Sequence, residues 1–391
     1  MNLDGIRVLD LTQLLPGPYG TQLLSDMGAE ILKVEPPTGD PGRHIQGTEG
    51  WAGYLFSAVN SDKRSIAIDL KSDVGREVLY ELVQDVDVVF EQFRPGVTER
   101  LGIDYDTLSE HQEELIYCSL TGYGQNGPYR DRAGHDLNYV GASGLLDMTR
   151  PQQEIKNAGG RLPAPTPIGY PIADMTGGLM AVTAILGALV ERELGGGGQY
   201  LDVSMTDAVF SYGPVELALA DSGGDPRPGE TPMSGALPCY DVYETADGRY
   251  VTLAALEPRF FRAFCEAVER PDLFEYHLTE DEGERATLRE ELRSLFSERT
   301  RDEWDATLGS ETMVGLVNTP TEAISDPHIQ TRELLVETDA GHRRVAFPLA
   351  TEDVDSPGHI PSLGEHTDAI LGECGFDADE IAHLHEQGAI R

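Results

Sequence analysis

The stretch GIRVLDLTQLLPGPYGTQLLSDMGAEILKVE (5–35) decides the fold of this chain. Residues 5–12 form an apolar run typical of a buried strand, and EILKVE (30–35) forms a second one. Between them, the turn residues PGPYG (16–20) lead into apolar residues at helical spacing. A strand, a helix and a second strand in this order predict an α/β fold, in which helices cover a parallel sheet.

The same alternation continues along the chain. Further strands are predicted at 65–70, 87–93, 114–122 and 199–205, and further helices at 74–83 and 174–194. A stretch rich in Gly, Pro and Ser at 221–237 predicts a linker, and the alternating runs after it predict a hairpin that turns at Ala246-Asp247-Gly248. Residues 232–325 are therefore predicted to form a second, smaller domain.

The charge balance is strongly acidic. There are 68 Asp and Glu residues against 29 Lys and Arg residues, which gives a formal net charge of −39. In dilute buffer this charge destabilises the compact state, whereas molar salt shortens the Debye length to about 3 Å. We therefore expect a halophilic host. Nucleic acid is not an expected partner, because phosphate binding needs clustered Lys and Arg.

Other features limit the class of protein. The N-terminus has no basic segment typical of a signal peptide, and no apolar run approaches the ~20 residues of a membrane helix. We therefore expect a cytoplasmic protein with no membrane partner. The four cysteines form no CxxC pair and no cluster with histidine, which indicates free thiols and no metal site.

A glycine motif at 122–127, GYGQNG, matches the G-x-G-x-x-G pattern of dinucleotide-binding loops. It lies late in the series of strands, whereas the fingerprint belongs on the first strand–helix turn. The residues that follow it are also a poor helix start. We interpret it as a tight loop near a ligand, and a nicotinamide oxidoreductase is not favoured.

Several segments taken together resemble the alpha-methylacyl-CoA racemase branch of the family III CoA-transferase (CaiB/BaiF) superfamily. They are the residues at 8–37, 60–72, 90–105, 115–129, 133–144, 171–181, 239–261 and 364–371. They occur in register over nearly the whole chain, from VLDLTQLLPGPYG near the start to GEHTDAIL near the end.

The resemblance implies a Rossmann-like large domain built from both ends of the chain and a small α+β domain from its middle. The expected boundaries are 1–205 for the large domain, 206–231 for a linker, 232–325 for the small domain and 326–391 for a linker and the return to the large domain. Each monomer is expected to be an open ring, and two rings to interlock as a homodimer. The expected partner is an acyl-CoA substrate, with no cofactor beyond the coenzyme A that the substrate carries.

Three residues match catalytic positions of the family. His135 lies in AGHDLNY and Asp174 in PIADMTGG, and these two are expected to move the proton at C2 on opposite faces of a 2-methylacyl thioester. Taken singly, a His-Asp pair and an aspartate at a helix start are typical of capping. Within these motifs we interpret both as catalytic. Glu257, in ALEPRFF, matches a glutamate of the small domain that approaches the site.

Coenzyme A needs cations for its phosphates, and arginine can bind a phosphate through two parallel hydrogen bonds. The candidates are Arg43, Lys71 and Arg94, with Lys63 and Arg64 behind them; each could instead form a salt bridge to one of the many acids. The resemblance also implies that the backbone from Gly134 to Tyr139 lines the thioester, with Asp136 and Asn138 in that segment.

Two other activities remain open on these residues. In a CoA-transferase of the same family, Asp174 would be a nucleophile that forms an acyl anhydride and then an enzyme–CoA thioester. A non-catalytic acyl-CoA binding protein is a further alternative, which the presence of His135 and Asp174 disfavours. Residues 147–165 make the interval between these two longer than the racemases lead us to expect, and they are predicted to form a surface loop.

Overall fold

The computed structural model describes residues 3–45, 51–151, 163–348 and 358–391. These form two compact units. The first unit is Met1–Leu145, Ile168–Tyr212 and Pro327–Arg391, and the second is Leu146–Pro167 and Gly213–Asp326.

The strands and helices are numbered in chain order. The strands are β1 (Arg7–Asp10), β2 (Glu30–Glu35), β3 (Arg64–Ala67), β4 (Val88–Glu91), β5 (Ile116–Thr121), β6 (Gln199–Ser204), β7 (Tyr240–Glu244), β8 (Tyr250–Ala254), β9 (Val314–Leu316), β10 (Leu335–Glu337) and β11 (Arg343–Val345). The helices are α1 (Pro16–Asp26), α2 (Trp51–Tyr54), α3 (Asp73–Val83), α4 (Val97–Leu101), α5 (Tyr105–Ser109), α6 (Asp136–Ala142), α7 (Ile172–Glu193), α8 (Met205–Phe210), α9 (Pro214–Asp221), α10 (Pro258–Ala267), α11 (Glu282–Phe296), α12 (Arg301–Thr307), α13 (Pro320–Ala323), α14 (Pro327–Thr331), α15 (Thr367–Glu373) and α16 (Ala378–Glu386).

A six-stranded sheet organises the first unit, with strand order β3-β2-β1-β4-β5-β6. Every neighbouring pair is parallel, and Val8 of β1 lies between Ile31 of β2 and Val88 of β4. The predicted α/β fold with a parallel sheet is confirmed. The order reverses between β1 and β4, and in open sheets this reversal creates a crevice at the carboxyl ends of the strands.

The C-terminal segment covers the β3 edge of this sheet. Arg391 N donates to Ala67 O at 3.1 Å, and His366 N donates to Ser65 O at 2.9 Å. Ile390 forms an antiparallel bridge with Ile68. Residues of α15 and α16 also join the apolar core on one face of the sheet, where Ile370 and Leu371 are buried.

The second unit contains an antiparallel sheet with strand order β7-β8-β9. Its first two strands form the hairpin predicted from the alternating runs. Aromatic rings fill the core: Phe264 and Tyr243 stack on Phe296, and Trp304 meets the same ring edge-on. The segment at 206–231, expected as a linker, carries α9 and most of α8.

Helix α7 has 22 residues and is long and apolar enough to cross a membrane by length and composition. The expectation concerned an unbroken apolar run, and α7 is interrupted by Asp174, Thr176 and Thr183. The core helix of a soluble protein passes the same test, and Ala173, Ala181 and Ile185 of α7 are fully buried.

Candidate active site

A cavity of about 370 Å³ opens at the carboxyl ends of β1, β2 and β3. Thr12 and Gln13, which follow β1, line one part of it, and Glu35 and Asp40 line another. Lys71, which follows β3, supplies a cation. Because open parallel sheets bind ligands at this edge, the cavity is the candidate ligand site of the first unit.

Buried ion pairs border this cavity. Lys33 Nζ lies 3.0 Å from Asp40 Oδ2, and Lys63 Nζ lies 3.2 Å from Asp10 Oδ2, with all four side chains almost completely buried. Burial raises the pKa of Asp10, but the charges of Lys33 and Lys63 outweigh it and lower that pKa to about 2. Since an unpaired buried charge is strongly destabilising, these pairs fix the loops that follow β1 and β2.

The same pairing changes how some phosphate candidates are interpreted. Lys63 is fully buried and donates to Asp10, Thr21 and Asn60, so it cannot reach a ligand, and its assignment as a reserve candidate is wrong. Arg64 is paired with Glu30 and Glu373, and a phosphate contact from it stays a prediction.

Arg43 is also engaged within the protein. Its guanidinium bonds to both carboxylate oxygens of Glu35, at 2.7 Å each, and stacks 3.6 Å from the ring centre of Phe56. A phosphate contact from Arg43 stays a prediction, and it would require this guanidinium to be shared with Glu35.

Lys71 and Arg94 are differently placed. Both side chains are exposed, and within the described part of the chain neither has a hydrogen-bonding or ionic partner. Arg94 lies close enough to Tyr139 for its charge to oppose the rise in the tyrosine pKa. In a chain with so few cations, these two are available for an anionic ligand.

Asp136 joins the start of α6 to the start of α7. Its Oδ1 accepts hydrogen bonds from Ala173 N at 2.6 Å and from Asp174 N at 3.2 Å. The N–H groups of a first helical turn have no partner inside the helix, and here one carboxylate from the neighbouring helix takes up two of them. The segment that contains His135 is therefore tied to the start of α7, where Asp174 lies.

Asp174 is a carboxyl group with an unusual protonation equilibrium. Burial, followed by the negative charge of Asp136, raises its pKa to about 7. A helix N-terminus favours an ionised carboxylate, but Asp136 already occupies the nearest N–H groups. The net result is a raised pKa, so that both the protonated and the ionised form of Asp174 are populated near neutral pH.

The glycines that follow Asp174 allow α7 to pack very closely. A Cβ atom on Gly178 would lie 2.4 Å from Pro16 O of α1, and one on Gly177 would lie 2.5 Å from Cγ of Met205 in α8. Gly178 lies one turn after Asp174, so Asp174 is close to the contact between α1 and α7.

The segment 134–139 is built around Tyr139. Its ring is buried, and its hydroxyl donates to Gly134 O at 2.6 Å. His135 N donates to Asn138 Oδ1 at 3.0 Å, which fixes the first turn of α6, while the His135 side chain is exposed. These two bonds therefore define the backbone of the segment, and the histidine side chain is accessible to a ligand.

Glu257 lies in the second unit, directly before α10. The residue is exposed, and its side chain makes no capping hydrogen bond to the helix. Its predicted part in catalysis stays a prediction.

Part of the predicted loop at 147–165 lies outside the described residues. At its base, Thr149 Oγ1 donates to Thr166 O at 2.6 Å and accepts from Thr166 N at 3.1 Å. These bonds close the loop at its two ends.

Sequence analysis missed two contributors to this region. Gln92 bonds to the backbone of the β1–α1 connection, and Asp10 forms the buried pair with Lys63. The rarity of lysine was the one signal for this pair. The chain has four lysines, and two of them, Lys33 and Lys63, are buried.

The doubly wound sheet, the cavity at its carboxyl edge and the aspartate with a near-neutral pKa together define an α/β enzyme. The chain belongs to CoA-transferase family III, whose family model matches residues 3–367.

Named relatives of this chain fall into more than one activity. It is 35% identical to a succinyl-CoA:mesaconate CoA-transferase of Haloarcula marismortui, over 96% of this chain and 97% of that one. It is 31% identical to the human alpha-methylacyl-CoA racemase, over 100% of this chain and 98% of that one. A solved CAIB/BAIF family protein from Brucella suis matches with a TM-score of 0.78 and 31% identity, covering 95% of this chain and 99% of that one.

Proposed function

We propose that this protein racemises 2-methyl-branched acyl-CoA thioesters by removing and returning the proton at C2. The observation that carries the proposal is the pair of hydrogen bonds that Ala173 N and Asp174 N donate to Asp136 Oδ1, because they tie the segment that contains His135 to the start of α7, which contains Asp174. Racemisation needs two acid–base groups that act on opposite faces of one carbon.

In the proposed reaction, one of the two groups takes the C2 proton and leaves an enolate. The other group then delivers a proton to the opposite face, so that the thioester is regenerated with inverted configuration. A carboxyl group with a pKa near 7 can serve in either direction at neutral pH, because both of its protonation states are populated. Glu257 is proposed as a further residue of the site.

For the coenzyme A part of the substrate, we propose binding in the cavity at the carboxyl ends of β1 to β3. Lys71 and Arg94 would contact phosphates, with Arg43 shared between Glu35 and the ligand. The backbone of Gly134, Asp136, Asn138 and Tyr139 would line the thioester. No cofactor beyond the coenzyme A of the substrate is required by this chemistry, and the proposed location is the cytoplasm.

We further propose that the enzyme is an interlocked homodimer. Large apolar side chains are exposed on and after α7 and α8: Leu179, Val190, Leu194, Phe210 and Tyr212. These side chains would leave water if this region formed the interface between subunits. Light scattering after gel filtration in molar KCl should give twice the chain mass, and a monomer would contradict this.

A CoA-transferase is the second candidate, favoured by the 35% identity to the Haloarcula enzyme. Asp174 would attack the acyl-CoA carbonyl, release CoA as its thiolate and form a mixed anhydride. The thiolate would then attack the Asp174 carbonyl of that anhydride, giving an enzyme–CoA thioester and freeing the first acid. This cycle needs a nucleophilic aspartate and has no evident use for His135.

The two candidates are separated by one experiment in D₂O. A single enantiomer of a 2-methylacyl-CoA is incubated with the enzyme in molar KCl, and deuterium at C2 is followed by mass spectrometry together with chiral analysis. We expect deuterium uptake with inversion, abolished in His135→Ala and in Asp174→Asn. His383→Ala, which removes an exposed histidine of α16, is the matched control and should retain the wild-type rate.

A different outcome would favour the second candidate. If no deuterium enters and CoA appears on added succinate or mesaconate, the racemase proposal is wrong. In that case Asp174→Asn should abolish transfer, whereas His135→Ala should leave most of it.

A further inference from the structure

The connection between β1 and α1 contains a strained residue. Leu14 has φ of +65°, in the left-handed region that side chains other than glycine rarely adopt. Such conformations persist only where surrounding groups hold them, and they are concentrated at functional sites. We call residues 12–17, which are most of the connection together with the first two residues of α1, the β1–α1 loop.

Gln92, which follows β4, holds this loop on both sides of Leu14. Its Nε2 donates to Gln13 O at 2.7 Å, and its Oε1 accepts from Gly17 N at 2.9 Å. The fit is tight, since a Cβ on Gly17 would lie 2.5 Å from that Oε1 atom and 2.3 Å from Cβ of Thr12. One carboxamide therefore closes the loop across the switch point of the sheet.

The buried charges complete the restraint. Asp40 Oδ1 accepts from Leu14 N at 3.2 Å, and Lys33 Nζ donates to Thr12 O at 3.0 Å. These two side chains are also paired with each other. Polar groups from two other strand ends thus hold a strained backbone that lies between them.

The loop connects the two parts of the candidate site. At its start, Thr12 and Gln13 line the cavity. At its end, Pro16 O lies against Gly178 of α7, one turn from Asp174. The loop is therefore the segment of chain that joins the cavity to the region of Asp174.

We propose that Gln92 is a positioning residue, whose carboxamide holds the strained β1–α1 loop so that the loop places the acyl thioester between the cavity and Asp174. This inference deepens the proposed function and rests on it. Gln92 acts through the loop and does not itself take part in proton transfer.

The test compares Gln92→Ala with wild type in three measurements. The kcat of C2 deuterium exchange (or of CoA transfer, if that is the activity found) should fall at least tenfold. The midpoint of chemical denaturation should change little, which would show that the variant is folded. Titration calorimetry with CoA should give a dissociation constant within about twofold of wild type, whereas that for 2-methylacyl-CoA should rise. Gln92→Glu, which keeps the acceptor for Gly17 N and loses the donor to Gln13 O, should give an intermediate kcat.

Relief of the strain provides a rescue. Glycine adopts positive φ without strain, so Leu14→Gly should raise the denaturation midpoint and should restore at least a threefold gain in kcat to Gln92→Ala. Glu333→Gly relieves the strain of a positive φ of 53° at a distant position, and it should not restore kcat to Gln92→Ala. Gln84→Ala, which removes an exposed glutamine at the end of α3, is the matched single control.

The proposal is overturned if Gln92→Ala keeps kcat within twofold, or if Leu14→Gly gives no rescue. A wild-type protein with neither exchange nor transfer would instead overturn the proposed function. The ratio of the two dissociation constants would still decide the positioning role, because an unchanged ratio in Gln92→Ala means that the loop does not place the thioester.

Discussion

Asp136 adds its negative charge to the effect of burial in raising the pKa of Asp174. It lies at the start of α6 and bonds to the backbone of Asp174, so its negative charge is brought close to a carboxyl group that is itself buried. The sequence indicates His135 and Asp174 through their motifs. It cannot indicate this contact, because the two aspartates are 38 residues apart in the chain.

Asp136→Asn tests this coupling. Asparagine keeps an oxygen that can accept from Ala173 N and Asp174 N, but it removes the charge that contributes to the raised pKa of Asp174. The pKa of Asp174 should therefore fall, though not to its ordinary value, because burial remains. In the pH profile of kcat/KM for deuterium exchange, the inflection near 7 should move to lower pH.

The sign of that shift is the decisive point. A Leu137→Ala variant, which changes an exposed side chain next to Asp136, should leave the inflection in place. If Asp136→Asn leaves the inflection unchanged or moves it upward, Asp136 does not set the protonation of Asp174.

Gln92 shows the limit of prediction from single residues. Its two bonds reach 75 and 79 residues back along the chain, and no local pattern in FEQF marks it. Buried lysines are equally hard to recognise, since lysine usually indicates surface. Motifs in the sequence predict the residues with a chemical role. They do not predict hydrogen bonds between side chains and backbone that are far apart in the chain.

At the scale of elements, strands were easier to predict than their order. Apolar runs located all six strands of the large sheet to within a few residues, because buried parallel strands are apolar on both faces. The placement of β4 beside β1 depends on how the chain crosses over, which no single run encodes.

The close contact of α1 with α7 makes Gly178 sensitive to substitution. A Cβ there would lie 2.4 Å from Pro16 O, and the backbone has to move to admit it. Overpacking of this kind costs about 1–3 kcal/mol. Gly178→Ala should therefore lower the free energy of unfolding by that amount and should also reduce activity, because Asp174 is one turn away.

Gly187 of the same helix is the matched position. A Cβ on Gly187 would meet no atom within 4 Å. Replacing an open helical glycine with alanine stabilises by roughly 0.5–1 kcal/mol. Opposite signs for Gly178→Ala and Gly187→Ala in urea denaturation would support the packing account, and equal signs would contradict it.

His359 ties the turn after β10 to the segment before α15. Its two ring nitrogens face Asp339 and Glu365, and these carboxylates raise its pKa above the ordinary value. The stabilisation from protonated His359 is therefore fully present below about pH 6.5 and is lost as the pH rises through the raised value. Amide exchange at 358–366, corrected for intrinsic rates, should show protection falling over that range.

The stabilisation by protonated His359 should be local and sensitive to salt, because the histidine is exposed. In His359→Gln the same segment should show little pH dependence across this window. If wild type and variant respond alike to pH, another group is responsible.

At the scale of the whole molecule, charge dominates. The formal net charge of −39 is spread over the chain, and its mutual repulsion opposes the compact state. Raising KCl from 0.2 to 2 M should therefore increase the free energy of unfolding, with Tm rising roughly 1 °C for each kcal/mol gained in a chain of this length. Scanning calorimetry at both salt concentrations measures this.

A control separates screening from solvent exclusion. Sucrose strengthens burial without screening charge, so it should not replace KCl at low ionic strength. A Tm that is independent of KCl, or that sucrose restores completely, would contradict adaptation to a salt-rich interior.

Closure of the sheet by the C-terminal segment has a consequence for synthesis. Ala67 of β3 is hydrogen-bonded to Thr367, which is translated 300 residues later. At roughly 5–20 residues per second, the ribosome needs about 15–60 s to make that interval. Throughout this time the nascent chain displays an open strand edge, the kind of surface on which growing chains pair with one another. The edge acquires its cover only after residues 366–391 have been made, so we expect this edge to be vulnerable during translation.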